Sequence, residues 1–342
     1  MKRYAMWGIM IFLSMMLAWT LPASASEGGK TIVFALGAEP VSLDPPNQTD
    51  NPSEMVVRHI HDNLVEFTEK MDIVPMLAES WETSPDGLVW TFRLRKGVQF
   101  HDGTPFNADV VVFNIKRVTD TTKPTRRTTL YEPFIKSVEA VDEFTVKMEL
   151  KNPFGALLAH FAHGAGGMVS PKNSLKYGDK TGLHPVGTGP YIFQEWAPGD
   201  RIVLTRNDNY WKGKPKVEKV VFKPVPEGSS RMMMLETGQA DVAFPVPLME
   251  VERLKNAKGA KVIVGGTNRV IYIGINNFKK PFTDVRVRRA LNYAVDKQAI
   301  VEKILKGHAK VSQSTLGDLN WGYVPVGSYK YDPEKAKKLL AE

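Results

Sequence analysis

Apolar and polar residues alternate most cleanly between positions 81 and 94. Trp81, Leu88, Trp90, Phe92 and Leu94 fall on the period of two that marks a half-buried strand. Ser84-Pro85-Asp86-Gly87 interrupts the run with a turn, because proline presets one backbone angle and glycine accepts a positive one. The stretch therefore predicts a hairpin. A second loop, His101-Asp102-Gly103-Thr104-Pro105, precedes a helix capped by Asn107 that carries Val110, Phe113, Ile115 and Val118. Similar patterning predicts a second hairpin from 135–141 and 144–150. Single strands are expected over 31–36, 191–196, 202–206, 217–223, 241–244 and 270–276. Helices are expected over 52–67, 154–160, 171–177, 229–237, 282–295 and 297–305. Short strands mixed with helices imply α/β units with partly antiparallel sheets, and no internal repeat is visible.

The two ends of the chain differ in kind. Lys2 and Arg3 precede an uncharged apolar run over 5–21, and Pro22-Ala23-Ser24-Ala25 follows as a small-residue cleavage pattern. Residues 1–25 are therefore predicted to be a cleaved signal peptide. A run of about 17 apolar residues sits at the short edge for crossing a bilayer. At the other end, Asp332 can cap and Pro333 open a helix that continues to Glu342 without a glycine stop.

Composition narrows the chemistry. The 342 residues contain no cysteine, which excludes disulfides, thiolate metal sites and a cysteine nucleophile. It also removes the residue that a lipid anchor at the cleavage site would need. Net charge is +8, and loss of Lys2 and Arg3 leaves +6, a mild excess suited to steering small anions. Basic residues are scattered, and the Arg286, Arg288, Arg289 group lies in an amphipathic helix, so no nucleic-acid partner is expected. There is no G-x-S-x-G, no H-E-x-x-H and no carboxylate-rich metal cluster, so catalysis has no motif behind it. His160 and His163 share a spacing that could hold a metal, but a third ligand is missing; the pair reads as ordinary loop histidines, and no metal or cofactor is expected.

The block over 81–112 resembles the signature of the extracytoplasmic solute-binding proteins of ABC importers that carry peptides, nickel and glutathione. The likeness continues through Glu39 to Pro45, through Leu77-Ala78-Glu79-Ser80-Trp81 and through Pro185 to Tyr191. It runs on through Asn209-Tyr210-Trp211, Leu235 to Asp241, and Asn276 with Pro281 to Leu291. The resemblance implies a two-lobe, type II periplasmic binding protein-like α/β fold with an extra inserted subdomain. Lobe one would take 26–55 and 185–270, the insert 56–184, and lobe two would begin at 271–342, incomplete because the chain would be truncated. It implies a monomer in the periplasm that captures a short peptide or a peptide-like solute such as glutathione and delivers it to ABC permease subunits with cytoplasmic ATPases. Phe244-Pro245-Val246-Pro247 and Arg269 look most like the glutathione-binding branch. A nickel or metallophore carrier, or a sensor or docking remnant outside transport, are the alternatives.

Candidate ligand-binding residues follow from position and chemistry. Glu39 and Pro40 leave an apolar strand where loops tend to meet a cleft, and Glu39 could accept from a ligand amine or be a solvated carboxylate. Gly187, Thr188 and Gly189 could offer backbone N–H groups to a carboxylate, or form a structural turn. Phe244 and Pro245 end a strand with a stiff apolar rim that could pack on a ligand or into the core. Arg231 and Arg269 are the cations expected to grip a ligand carboxylate, against a solvated surface role.

Overall fold

The computed structural model describes residues 30–342, so the predicted signal peptide lies outside the described residues. β1 (Thr31–Leu36) leads through a proline-rich loop to α1 (Asn51–Ile60), whose cap Asp50 accepts from Ser53 N at 2.8 Å. A small hairpin of β2 (Val65–Phe67) and β3 (Ile73–Pro75) follows. Next come β4 (Ala78–Thr83), β5 (Val89–Leu94), α2 (Ala108–Thr119), β6 (Ile135–Asp142), β7 (Thr145–Leu150), α3 (Leu157–Ala162) and α4 (Pro171–Tyr177). The chain then runs through β8 (Tyr191–Ala197), β9 (Arg201–Arg206) and β10 (Lys219–Pro224), and crosses by α5 (Gly228–Glu236) to β11 (Val242–Phe244). The last helices are α6 (Val251–Lys255), α7 (Val285–Ala294), α8 (Lys297–Ala299) and α9 (Pro333–Ala341). Among the described residues no helix is long and apolar enough to cross a membrane.

These elements build two main sheets, each with its own apolar cluster. The first has the order β11-β1-β10-β9-β8, with β1 parallel to both β10 and β11. Leu36, Ile202, Leu204, Val220 and Phe222 from its strands pack against Val56, Val57 and Ile60 of α1. The second sheet, β4-β5-β7-β6, is antiparallel throughout. Trp90, Phe92, Leu94, Val146, Met148 and Leu150 meet Val111, Ile115 and Val118 of α2 there. The alternation that predicted the hairpin thus places Trp90, Phe92 and Leu94 on its buried face. Gly87 holds φ +72° in its turn, and Asn107 caps α2 by accepting from Val110 N at 3.2 Å.

The expectations fail in four places. The helix predicted over 52–67 stops at Ile60, because 61–63 leave it to bond elsewhere and 65–67 pair with β3. α1 packs on the five-stranded sheet, so 56–60 go with that sheet rather than with the insert. The strand predicted over 270–276 is irregular: it pairs with no strand among the described residues, and Ile271, Tyr272 and Ile273 are exposed. The helix predicted over 297–305 opens as α8 and widens into a π turn over 300–304.

The four-stranded unit is joined to the five-stranded one where the chain leaves α1 and where it returns to β8. Gly189 N donates to Ile60 O at 2.9 Å, and His101 N donates to Gly187 O at 2.9 Å. A Cβ on Gly187 would lie 2.0 Å from Ile60 O and 2.7 Å from His61 Nδ1, so this approach requires glycine. Buried Asp62 is the hub. Its Oδ2 accepts from Thr188 Oγ1 at 2.9 Å and Trp211 Nε1 at 2.8 Å, and its Oδ1 accepts from Tyr210 OH at 3.1 Å. Burial pushes the Asp62 carboxyl above the usual carboxylate range, and the three donors pull it partly back.

A second tie runs from the loop after β1 to α2. Arg117 donates from Nη1 to Asp44 Oδ1 at 3.0 Å and from Nη2 to Oδ2 at 2.6 Å, and Asp44 is 3% exposed. Two predictions follow from these joints. Arg117→Ala strands a buried carboxylate and should cost about 3 kcal/mol in urea unfolding, the low end for a broken buried pair. Gly187→Ala should cost about 3 kcal/mol, the upper end for overpacking, and lower the unfolding midpoint accordingly. A midpoint unchanged by either variant would contradict the joint it tests.

Candidate functional site

The three parallel strands of the first sheet end together. Leu36 is in register with Pro224 of β10 and with Phe244 of β11, so the loops that follow them, starting at 37, 225 and 245, converge at one edge. β1 lies between the other two, and the chain passes from β10 across it through α5 to β11. Crevices of this kind, outside the carboxyl ends of parallel strands, are where open α/β sheets bind ligands.

Backbone bonds fix the three loops to one another. Gly37 N donates to Phe244 O at 2.9 Å and Val225 N to Leu36 O at 2.7 Å. Arg231, on the first turns of α5, is 4% exposed. Its Nη1 donates to Val225 O at 2.6 Å and Pro226 O at 2.9 Å, and its Nη2 to Pro245 O at 2.9 Å. The rigid guanidinium fork thus staples the second loop to the third. Glu227 caps α5, accepting from Ser229 N at 3.0 Å and from Ser230 N. Those N–H groups, Ser230 first, hold the Glu227 carboxyl down at about 2.

The predicted residues are distributed unevenly around this edge. Glu39, Pro40, Arg231, Phe244 and Pro245 all lie along it, with Arg231, Phe244 and Pro245 on the β11 side and Glu39 reaching towards the β8–β9 turn. Phe244 is 42% exposed, and Pro245 is exposed beside it, so this strand end is an open rim rather than core packing. Pro40 is buried beneath the loop. Glu39 Oε1 accepts from Trp196 Nε1 and Gly199 N, both at 2.9 Å, which anchors the β8–β9 turn. No hydrogen bond among the described residues falls on its Oε2. Arg231 does not match the carboxylate-gripping role expected of it, because it is buried with Nη1 and Nη2 on backbone carbonyls inside the protein, and its Nε is buried without a partner among the described residues.

Gly187, Thr188 and Gly189 lie elsewhere, buried under the end of α1, with Gly189 N and Thr188 Oγ1 already engaged. A backbone nest open to a ligand is not what this loop forms; close packing against Ile60 is the reason for its glycines. Arg269 is exposed on the irregular segment, with its neighbour Asn268 packed against Gly317 and Asn320. Sequence reasoning missed Asp62 altogether. A single acid after an apolar helix has no local signature, and its three donors come from 126 to 149 residues away. His160 and His163 bond to nearby backbone, through Leu130 O and Ala165 N. No cluster of three potential metal ligands occurs among the described residues.

Comparison with known proteins gives this edge its context. Residues 72–342 match the family described as bacterial extracellular solute-binding proteins, family 5 middle. The chain is 36% identical over 321 residues to the glutathione-binding protein GsiB of Pectobacterium atrosepticum, covering 94% of this chain and 62% of that one. The periplasmic binding protein DppA of Helicobacter pylori, solved with the peptide STSA, superposes with a TM-score of 0.80 at 32% identity, over 92% of this chain and 66% of that one. NikZ of Campylobacter jejuni, solved with Ni(L-His), gives 0.78 at 30% identity, over 91% and 62%. These neighbours are two-lobe periplasmic binding proteins, and the chain spans somewhat under two thirds of their length. With the match extending over most of the sequence, this chain belongs to the family 5 bacterial extracellular solute-binding proteins.

Proposed function

We propose that this chain is the solute-capturing component of an ABC importer, holding a short peptide or a peptide-like solute such as glutathione in the crevice beside Glu39, Phe244 and Pro245. The observation that carries this reading is the coincidence of family membership with an open, rigidly stapled edge at the carboxyl ends of β1, β10 and β11. The glutathione-binding relative and the peptide-bound structure supply the ligand class. In this reading the five-stranded unit is lobe one, the four-stranded unit is inserted into it, and residues from 271 begin lobe two. The protein works in the periplasm after signal-peptide removal, as a monomer serving permease subunits driven by cytoplasmic ATPases.

Capture needs no bond to break. Glu39 Oε2 accepts from a ligand amine, and the exposed Phe244 and Pro245 faces cover apolar parts of the solute. The lobes close around a hinge near 269–276, and closure is favoured only to the extent that the solute binds the closed form more tightly.

Calorimetric titration with glutathione, di- to tetrapeptides and nickel tests the reading. Micromolar binding of glutathione or a peptide is expected; heat with nickel alone would move the assignment to a metal carrier, and silence with all three would overturn it. Arg269→Ala should weaken an anionic solute about tenfold, the loss expected for one charge-assisted hydrogen bond, and an unchanged Kd would remove Arg269 from the site. Arg231→Met should act differently, lowering stability by about 2–3 kcal/mol through the buried carbonyls left without their charged donor. A variant as stable as the parent in urea would show that the staple is dispensable.

A further inference from the structure

His61 and His101 stand on either side of the loop by which the chain returns to β8. The Gly187 carbonyl receives His101 N, and a Cβ on Gly187 would lie 2.7 Å from His61 Nδ1. Each ring has one nitrogen on a backbone carbonyl: His61 Nδ1 lies 2.9 Å from Met168 O, and His101 Nε2 lies 2.9 Å from Gly189 O. A carbonyl only accepts, so these two nitrogens carry protons, and burial favours the neutral form of each ring. The other nitrogens, His61 Nε2 and His101 Nδ1, are buried without a hydrogen-bond partner among the described residues. A proton added to either would create a buried cation, a cost that the nearby Leu43 backbone offsets only in part at His61.

We propose that His61 and His101 make this junction an acid-released latch: protonation of the pair frees the 187–189 loop from α1 and loosens the four-stranded unit while the five-stranded sheet stays folded. The surrounding groups fit that sense. Burial lowers the His61 pKa from 6.5 to about 4 and outweighs its Met168 bond and Asp44. Burial likewise lowers His101 against its Gly189 bond and Asp102. A charge on His101 also disfavours one on His61. Asp44 is itself held by Arg117, and Asp102 is bonded by Ser170 with Lys172 nearby. Asp62, with Lys212 nearby, titrates oppositely: its raised pKa means that it takes a proton more readily when folded, and it offsets part of the effect.

The sign follows from linkage. Both histidines bind protons less tightly when the junction is closed than when it is open. The closed form is therefore fully favoured above about pH 6.5 and loses ground as pH falls towards about 4. Release also reaches the crevice, because β8 begins at Tyr191 and carries Trp196, the donor that holds Glu39.

Hydrogen exchange read by mass spectrometry, corrected for intrinsic rates, tests this without a ligand. At pH 4.5, peptides covering 185–191 should lose protection at least about tenfold relative to pH 7.5, while those covering 202–206 and 219–224 hold theirs. The double variant His61→Asn, His101→Gln keeps comparable donors and cannot titrate, so its 185–191 peptides should stay protected at pH 4.5. The proposal is overturned if wild-type protection there is unchanged, if it is lost together with the sheet strands, or if the double variant behaves as wild type. Should the double variant not fold, ring-proton titration by NMR decides on the wild type. Titration of the assigned His61 and His101 rings clearly below the unperturbed value of about 6.5 supports the latch, and titration of either at or above that value sinks it.

Discussion

The architecture rests on the approach of Gly187 and Gly189 to the last turn of α1. An inserted unit with its own sheet needs the two crossings of the chain to lie side by side, or the host sheet is pulled apart. Here the return loop passes so close to Ile60 O that only hydrogen fits at Gly187. Asp62 then gathers a hydroxyl from that loop, and a phenol and an indole from the chain beyond β9. A buried carboxylate is expensive alone and stabilising only when its lone pairs are filled. The hub thus holds the join in one geometry, since a shift of the loop removes the Thr188 donor from the buried carboxyl.

The candidate crevice follows from the same economy of polar groups. Three strand ends would leave carbonyls facing inward, and Arg231 collects three of them with one planar group. A lysine could not span these positions with comparable geometry. In the proposed capture, rigidity at the rim would help, because a pre-ordered wall loses less freedom when solute arrives. Glu39 orders the β8–β9 turn through one oxygen, and no hydrogen bond among the described residues falls on the other.

These arrangements also show that several motifs carrying the family resemblance act as joints. The Leu43-Asp44-Pro45 segment places Asp44 under Arg117. The Gly187-Thr188-Gly189 loop closes on α1, and Tyr210-Trp211 donate to Asp62. In each, residues distant in the chain meet at the boundary between two apolar clusters, where a polar pair gives register that hydrophobic contact alone does not.

The chain alone was enough for the local elements. Period-two alternation through Trp90, Phe92 and Leu94, proline and glycine at 85 and 87, and asparagine at 107 act through neighbouring backbone, so hairpin and helix cap were legible. The order of motifs also made the family legible. The crevice was half legible: Glu39 and Phe244 flank an apolar strand or end one, but the tertiary structure decided that Arg231 faces carbonyls rather than solvent. It alone joined Asp62 to Thr188, Tyr210 and Trp211, and it alone left 270–276 outside a sheet. Charge balance, strand pairing and burial depend on partners more than a hundred residues away, and no periodicity within a segment encodes who those partners are.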